Sequence, residues 1–215
     1  MAQSMAAAVP EPLLAATIRW DAVAPLILAS AALMGSPGSA TISVAAVASA
    51  YGVRRSLAYL LGVIVGTSVV LLGVATGVTA AVLAVPALEV LLIAIAAAYI
   101  LWLAYRIATA PPLAGRNPDI GAPSLAGAML LAIANPKAWV AIGAVFTTAR
   151  LADSAHADAA AKTAVLGLMI VVIMAGWLLA GASLASLLRD AKRARVVNVT
   201  LAAALLVSTV LAVGR

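Results

Sequence analysis

The chain has 215 residues, of which 66% are hydrophobic and 9% charged, with a net charge of +6 and no cysteine. Soluble domains are roughly 45–50% apolar and about 25% charged, so this composition indicates an integral membrane protein. The absence of cysteine excludes disulfides, thiol redox chemistry and thiolate metal ligands. Most basic residues lie in short loops between apolar runs, where they set membrane orientation, so a nucleic-acid partner is not expected.

Residues 1–21 are rich in alanine, are interrupted by prolines and charged residues, and lack the basic start of a cleaved secretory signal. We expect them to form a retained N-terminal tail. The rest of the chain, 22–213, is predicted to be one transmembrane domain.

Six apolar windows are each long enough to cross a hydrocarbon core of ~30 Å as a helix. They are Ala22–Ala50, Leu57–Leu83, Ala87–Ala108, Ser124–Ala149, Thr163–Leu188 and Val196–Val213. The first three windows match the last three, and because three is an odd number the second half enters the membrane from the opposite side. The predicted fold is an all-α integral membrane protein with six transmembrane helices in a 3+3 inverted repeat. The first repeat is 22–109, a cytoplasmic linker is 110–123, and the second repeat is 124–213.

Proline interrupts the first and the fourth windows near their centres, at Ser36-Pro37 and at Asn135-Pro136. Serine and asparagine are favoured N-caps, and proline is favoured at the first helical position. Each pair is therefore predicted to start a half-helix at mid-membrane, where free backbone donors and the positive end of the helix dipole suit a carboxylate. The alternative is a proline kink satisfied by neighbouring helices.

Lys137 is the only ionisable residue deep inside a predicted span. A charge at the bilayer centre costs ~2.5–3.5 kcal/mol on insertion scales, so a partner or a wet cavity must compensate it. We expect Lys137 to anchor a substrate carboxylate or to change protonation during transport. The alternative is a structural role in which it caps carbonyls at the end of the preceding half-helix.

These patterns define a predicted substrate site and a predicted packing face. The predicted substrate-binding residues are Ser36, Pro37, Gly38, Ser39, Thr41, Asn135, Pro136, Lys137 and Trp139. The second span carries four glycines on one narrow helical face, which is expected to pack closely on another helix, with the broken first span as one candidate partner. These glycines are Gly62, Gly66, Gly73 and Gly77.

Two further groups of residues are expected to serve structure rather than binding. Tyr99, Trp102 and Tyr105 follow one another at helical spacing near the predicted inner end of the third span and are interpreted as an interfacial anchor. His156 lies between two aspartates and is interpreted as part of a solvated outer loop, because a single histidine is poor evidence for a metal site.

The order of these motifs resembles the LysE/RhtB family of amino-acid exporters. The residues concerned are Gly35-Ser36-Pro37-Gly38-Ser39, then Gly52-Val53-Arg54-Arg55, the glycine-rich second span and Asn135-Pro136-Lys137. The family usually has a second proline where this chain has Ser39. The resemblance implies a protein of the bacterial inner membrane that exports amino acids or related small metabolites, commonly driven by the proton motive force.

The leading functional hypothesis is a secondary-active exporter of a small neutral or zwitterionic amino acid or derivative. A cationic substrate ranks lower, because no span contains a deep carboxylate to receive it. The alternative is a metal-ion or lipid-handling transporter of the same broad superfamily, although a metal permease should show intramembrane ligand clusters.

An enzyme is not expected, since paired carboxylates and Ser-His pairs are absent from the spans. We expect the small-molecule substrate and membrane lipids as partners and no cofactor or metal, and a homo-oligomer stays open.

Lysine and arginine predict the orientation. The loops after the first, third and fifth spans carry eight of the 13 basic residues, so they are predicted to be cytoplasmic and both termini to lie outside. The natural chain has no cysteine, so Arg54→Cys and His156→Cys can each be probed with an impermeant thiol reagent in intact cells. We expect labelling at position 156 and none at position 54. The reverse pattern would overturn the orientation.

Overall fold

The computed structural model describes residues 18–77, 86–111, 121–184 and 190–213. This described part of the chain contains eight α-helices and no strand. They are α1 (Trp20–Leu33), α2 (Ser39–Tyr51), α3 (Val53–Ala75), α4 (Pro86–Ala108), α5 (Leu125–Ile133), α6 (Pro136–Thr148), α7 (Ala155–Ser183) and α8 (Ala191–Val213). Most of the predicted tail, most of the predicted linker with Arg116, and the ends of the second and fifth predicted spans lie outside the described residues.

Three helices are long and apolar enough to cross a membrane: α3, α7 and the Lys192–Leu211 part of α8. The pair α5 and α6 makes a fourth if it is taken as one span, and its two halves are bent by 59°. The helices α1 and α2 are shorter apolar segments. The chain therefore has the helical and apolar character of a membrane protein.

The second break begins its helix as the sequence predicts. Pro136 is the first residue of α6, and the Asn135 side chain caps the helix by accepting a hydrogen bond from the backbone N–H of Lys137 at 3.2 Å. Proline fits this position because its missing N–H would have no partner in the first turn.

The first break is different, and the prediction that Ser36-Pro37 begins a helix is wrong. The helix α2 starts at Ser39, with Gly38 as an extended N-cap. The Ser36 hydroxyl donates back to the carbonyl of Leu33 at 2.8 Å, so it serves the end of α1 rather than the start of α2. The Thr41 hydroxyl accepts from the N–H of Gly38 at 2.9 Å, and no side chain caps the first N–H groups of α2 itself.

The helix α2 is the axis of the bundle. All 13 of its residues are buried, and it packs against α3, α7 and α8. Its side chains are mostly small, so neighbouring backbones approach it closely. At Gly181 of α7, for example, an added Cβ would collide with the backbone of Ala45. A helix buried on every side must be held by its neighbours rather than by one apolar face.

Three of the predicted packing glycines are in close contact, but with the second broken segment and not with the first. A Cβ at Gly62 or Gly66 would collide with the backbone carbonyls of Leu125 or Met129 in α5. Gly73 lies against the ring of Trp139 in α6. Gly77 is not a packing glycine. It follows the end of α3 with φ of 75°, and an added Cβ there would meet nothing within 4 Å.

Substitution of the close-packed glycines should destabilise the bundle. We expect Gly181→Ala to lower the free energy of unfolding by about 1–3 kcal/mol, the usual cost of overpacking. The matched control is Gly167→Ala on the same helix, where an added Cβ meets nothing within 4 Å. It should be neutral or stabilising by up to about 1 kcal/mol, because alanine is the better helix former. Thermal unfolding in detergent measures both, and equal midpoints would contradict the close packing at Gly181.

Candidate functional site

The two broken segments meet through Lys137. This residue lies in the first turn of α6, and its ammonium donates to the carbonyl oxygens of Ser36 at 2.6 Å and of Pro37 at 2.9 Å. Gly38 makes room for the lysine, because a Cβ there would be 2.8 Å from both Cδ and Nζ. Lys137 therefore does cap carbonyls, but at the first break and not at the end of its own preceding half-helix.

One further carbonyl at each break accepts a hydrogen bond from an indole. The Trp177 Nε1–H of α7 donates to the carbonyl of Gly35 at 3.1 Å, and the Trp139 Nε1–H donates to the carbonyl of Ile133 at 2.8 Å. A buried acceptor left without a donor costs about 1–3 kcal/mol, and lipid offers no substitute. These side chains are what allows the helices to stop inside an apolar bundle.

A side chain caps the first N–H groups at the start of α6 but not those at the start of α2. The first N–H groups of any helix have no partner within that helix. In α6 the Asn135 side chain satisfies one of them. In α2 the N-cap is Gly38, which has no side chain with which to do so. The start of α2 therefore presents open donors and the positive end of a helix dipole.

A cavity of about 30 Å³ lies beside the start of α2. Its polar end is formed by Gly38, Thr41, Thr67, Asn135 and Lys137. Its other walls are apolar and come from three segments, with Met34 after α1, Ala141 and Ile142 in α6, and Ile170 and Met174 in α7. A cavity of this size holds about two water molecules. Its lining is mainly apolar, with a few polar groups around Lys137.

Thr67 is the functional candidate that sequence reasoning missed. Its side chain in α3 lines this cavity, the residue is only 4% exposed, and its hydroxyl has no hydrogen-bond partner among the described residues. Buried polar groups without a partner are rare in proteins, because they lose hydration and gain nothing. Sequence alone gives little signal for it, because the predicted span Leu57–Leu83 also carries the hydroxyls of Tyr59, Ser68, Thr76 and Thr79.

The structure separates the predicted substrate-binding residues into three groups. Four of them line the 30 Å³ cavity: Gly38, Thr41, Asn135 and Lys137. A second cavity of about 10 Å³, next to α4, is lined by Ser39, Asn135 and Pro136. The remaining three line neither cavity and instead supply carbonyls or a cap: Ser36, Pro37 and Trp139.

The aromatic residues of α4 do not all behave as an interfacial anchor. Tyr105 is 67% exposed, and the Arg106 guanidinium lies 5.3 Å from the centre of the exposed Trp102 ring, which fits that interpretation. Tyr99 instead points inward. Its ring lies against Gly127 of α5, and its hydroxyl is buried.

The region around His156 is more ordered than a solvated loop. The helix α7 already begins at Ala155, and the carboxylate of Asp158 forms an ion pair with Lys162 at 2.8 Å. The same carboxylate accepts from the N–H of Leu151 at 2.5 Å. His156 itself is exposed. In the described ranges, no group of three or more His, Cys, Asp and Glu residues is placed to hold a metal.

Comparison of the chain with protein families, with curated proteins and with solved structures finds no match.

The indole cap at the first break can be tested by Trp177→Phe. This change keeps an aromatic ring but leaves the carbonyl of Gly35 without its donor, so we expect the free energy of unfolding to fall by about 1–3 kcal/mol. Trp20→Phe is the control, because Trp20 is 74% exposed. Thermal unfolding in detergent measures both variants. Equal midpoints would show that the cap contributes nothing.

Proposed function

We propose that the chain is a secondary-active exporter of a small neutral or zwitterionic amino acid or derivative, which binds through its carboxylate at the break between α1 and α2. The observation that carries this proposal is the uncompensated charge of Lys137. Its ammonium contacts two neutral carbonyls, and it forms no ion pair with any described residue. An anion bound beside it would supply the missing charge.

The donors around the cavity suit a carboxylate. An ammonium has three N–H donors, and two of those of Lys137 are already used, which leaves one. Residues Gly38, Ala40 and Thr41 at the start of α2, whose first N–H groups have no side-chain cap, line the same cavity as Lys137. Because an ionised carboxylate only accepts hydrogen bonds, it can take these N–H groups and the remaining N–H of Lys137 together.

The packing supports six spans in a 3+3 inverted repeat, with α1–α2 and α5–α6 as the two broken spans. In the described chain, α3 of the first half packs along α5 and α6, while α7 of the second half packs along α2 and α1. The helices α4 and α8, the third spans of each half, pack against each other. Each half therefore covers the break of the other, as a two-fold repeat requires.

Transport by this arrangement needs the cavity to enlarge. At about 30 Å³ it is too small for an amino acid, so the surrounding helices must move apart on one side and then on the other. Met34 and Met174 line it, and unbranched methionine side chains adapt easily to such changes. We place the protein in a bacterial inner membrane, with the Arg54-Arg55 loop cytoplasmic and the proton motive force as the energy source, as the motif resemblance implies.

The role of Lys137 can be separated from its contribution to folding. Lys137→Met removes the charge and keeps the apolar stem, and we expect export per folded molecule to fall at least tenfold, about 1.4 kcal/mol in transition-state terms. Lys137→Arg should recover part of the activity, because a planar fork replaces a compact point charge poorly. The measurement is tracer efflux from cells loaded with a panel of amino acids and derivatives, with and without an uncoupler.

Trp177→Phe is the matched control for this experiment. It removes a cap from the neighbouring carbonyl of Gly35 but leaves the charge of Lys137 in place. Its export per folded molecule should therefore fall much less than that of Lys137→Met. If Lys137→Met exports normally, or if the two variants lose activity equally, the proposed carboxylate site is wrong.

A further inference from the structure

Four carbonyls at the breaks accept hydrogen bonds from side chains of the second half of the chain. Lys137 occupies the carbonyls of Ser36 and Pro37, and the two indoles occupy those of Gly35 and Ile133. These are the groups that a broken helix would otherwise offer to a bound cation, since the carboxyl end of a helix carries the negative end of its dipole. In this chain they are already engaged by the protein.

Several hydrogen-bond donors of the same region have no partner among the described residues. The start of α2 has no capping side chain, Lys137 keeps one N–H, and the Thr67 hydroxyl has no partner. The Asn135 side-chain oxygen already accepts from the backbone of Lys137. No acidic residue is among the described residues that line the cavity. The lining of the cavity thus carries one positive charge and no negative charge.

The positive charge of Lys137 affects which chemical group can lie next to the substrate carboxylate. In an α-amino acid that group is an ammonium, which would lie close to the ammonium of Lys137 in an apolar surrounding where like charges repel strongly. The residues that line the cavity include no carboxylate with which it could form an ion pair. An uncharged hydroxyl, oxo or acylated amine in the same place meets no repulsion, and its oxygen can accept from the hydroxyl of Thr67.

We propose that the preferred substrate is a small monocarboxylate whose α substituent is uncharged, such as a 2-hydroxy acid, a 2-oxo acid or an N-acylated amino acid, with a short apolar side chain. This inference rests on the proposed function, because it assumes that the carboxylate binds at Lys137. The apolar walls formed by Ile142, Ile170 and Met174 receive the side chain. Thr67 is the specificity-determining residue that contacts the α oxygen.

The test compares two probes that share one carbon skeleton, 2-hydroxy-3-methylbutanoate and valine. The purified full chain is reconstituted into liposomes, and protein-dependent counterflow of each radiolabelled probe is measured at a pH where both carboxylates are ionised, against protein-free liposomes. We expect the hydroxy acid to move at least tenfold faster than valine. Valine moving as fast or faster would overturn this inference and leave the proposed function standing. If neither these probes nor other amino acids move, the proposed function fails and this inference fails with it.

Thr67→Val provides the second arm, because valine has the shape of threonine without the hydroxyl. Removing an unpartnered buried hydroxyl should not lower the unfolding temperature. We expect the same variant to move the hydroxy acid at least fivefold more slowly and to move valine at the original rate. The control is Thr148→Val, whose hydroxyl bonds to the carbonyl of Val145 and does not line the cavity. An unchanged rate for the hydroxy acid in Thr67→Val would overturn the role of Thr67.

Discussion

A helix that stops inside an apolar bundle frees carbonyls and N–H groups that neither lipid nor apolar side chains can satisfy, and the structure depends on how they are satisfied. Two of the side chains that donate to the carbonyls of the first break, Lys137 and Trp177, belong to α6 and α7 in the second half of the chain. The donor to the carbonyl of Ile133 is Trp139, on the other side of the same break. The two halves are thus joined by hydrogen bonds at the point where each is interrupted.

The starts of α2 and α6 differ in how their first N–H groups are satisfied, and the candidate site lies at the start that has no side-chain cap. Asn135 caps α6 with its own side chain, whereas Gly38 leaves the start of α2 uncapped and leaves space for the stem of Lys137. A larger residue at position 38 would displace the lysine. The start of α6 is therefore capped by the protein and the start of α2 is not, although both breaks contain a proline. The asymmetry follows from a single residue type at one N-cap.

Sequence patterns predicted the positions of both breaks, the start of α6 and the isolation of Lys137. Proline and asparagine act on the backbone next to them, and a lone charge in an apolar segment is costly, so all three can be recognised from the sequence. They could not predict where the Lys137 ammonium would go, since its acceptors lie about a hundred residues away in the chain. The glycine pattern of α3 predicted a close contact but named the wrong broken segment, because periodicity gives a face and not its partner. Thr67 was not predicted, because a hydroxyl side chain in a helix is ordinary. That its hydroxyl has no partner is known only once its neighbours are placed.

The residue that caps the first break, Lys137, is charged, and this charge needs an explanation. Neutral indoles are sufficient to satisfy the carbonyls of Gly35 and Ile133, so capping a broken helix in this bundle does not require a charge. A lysine at the centre of a span costs ~2.5–3.5 kcal/mol more than an apolar residue on insertion scales. Two hydrogen bonds to neutral carbonyls offset part of that cost but do not neutralise the charge. This remaining charge supports the proposed carboxylate site, where a bound anion would also give the open N–H groups of α2 a partner.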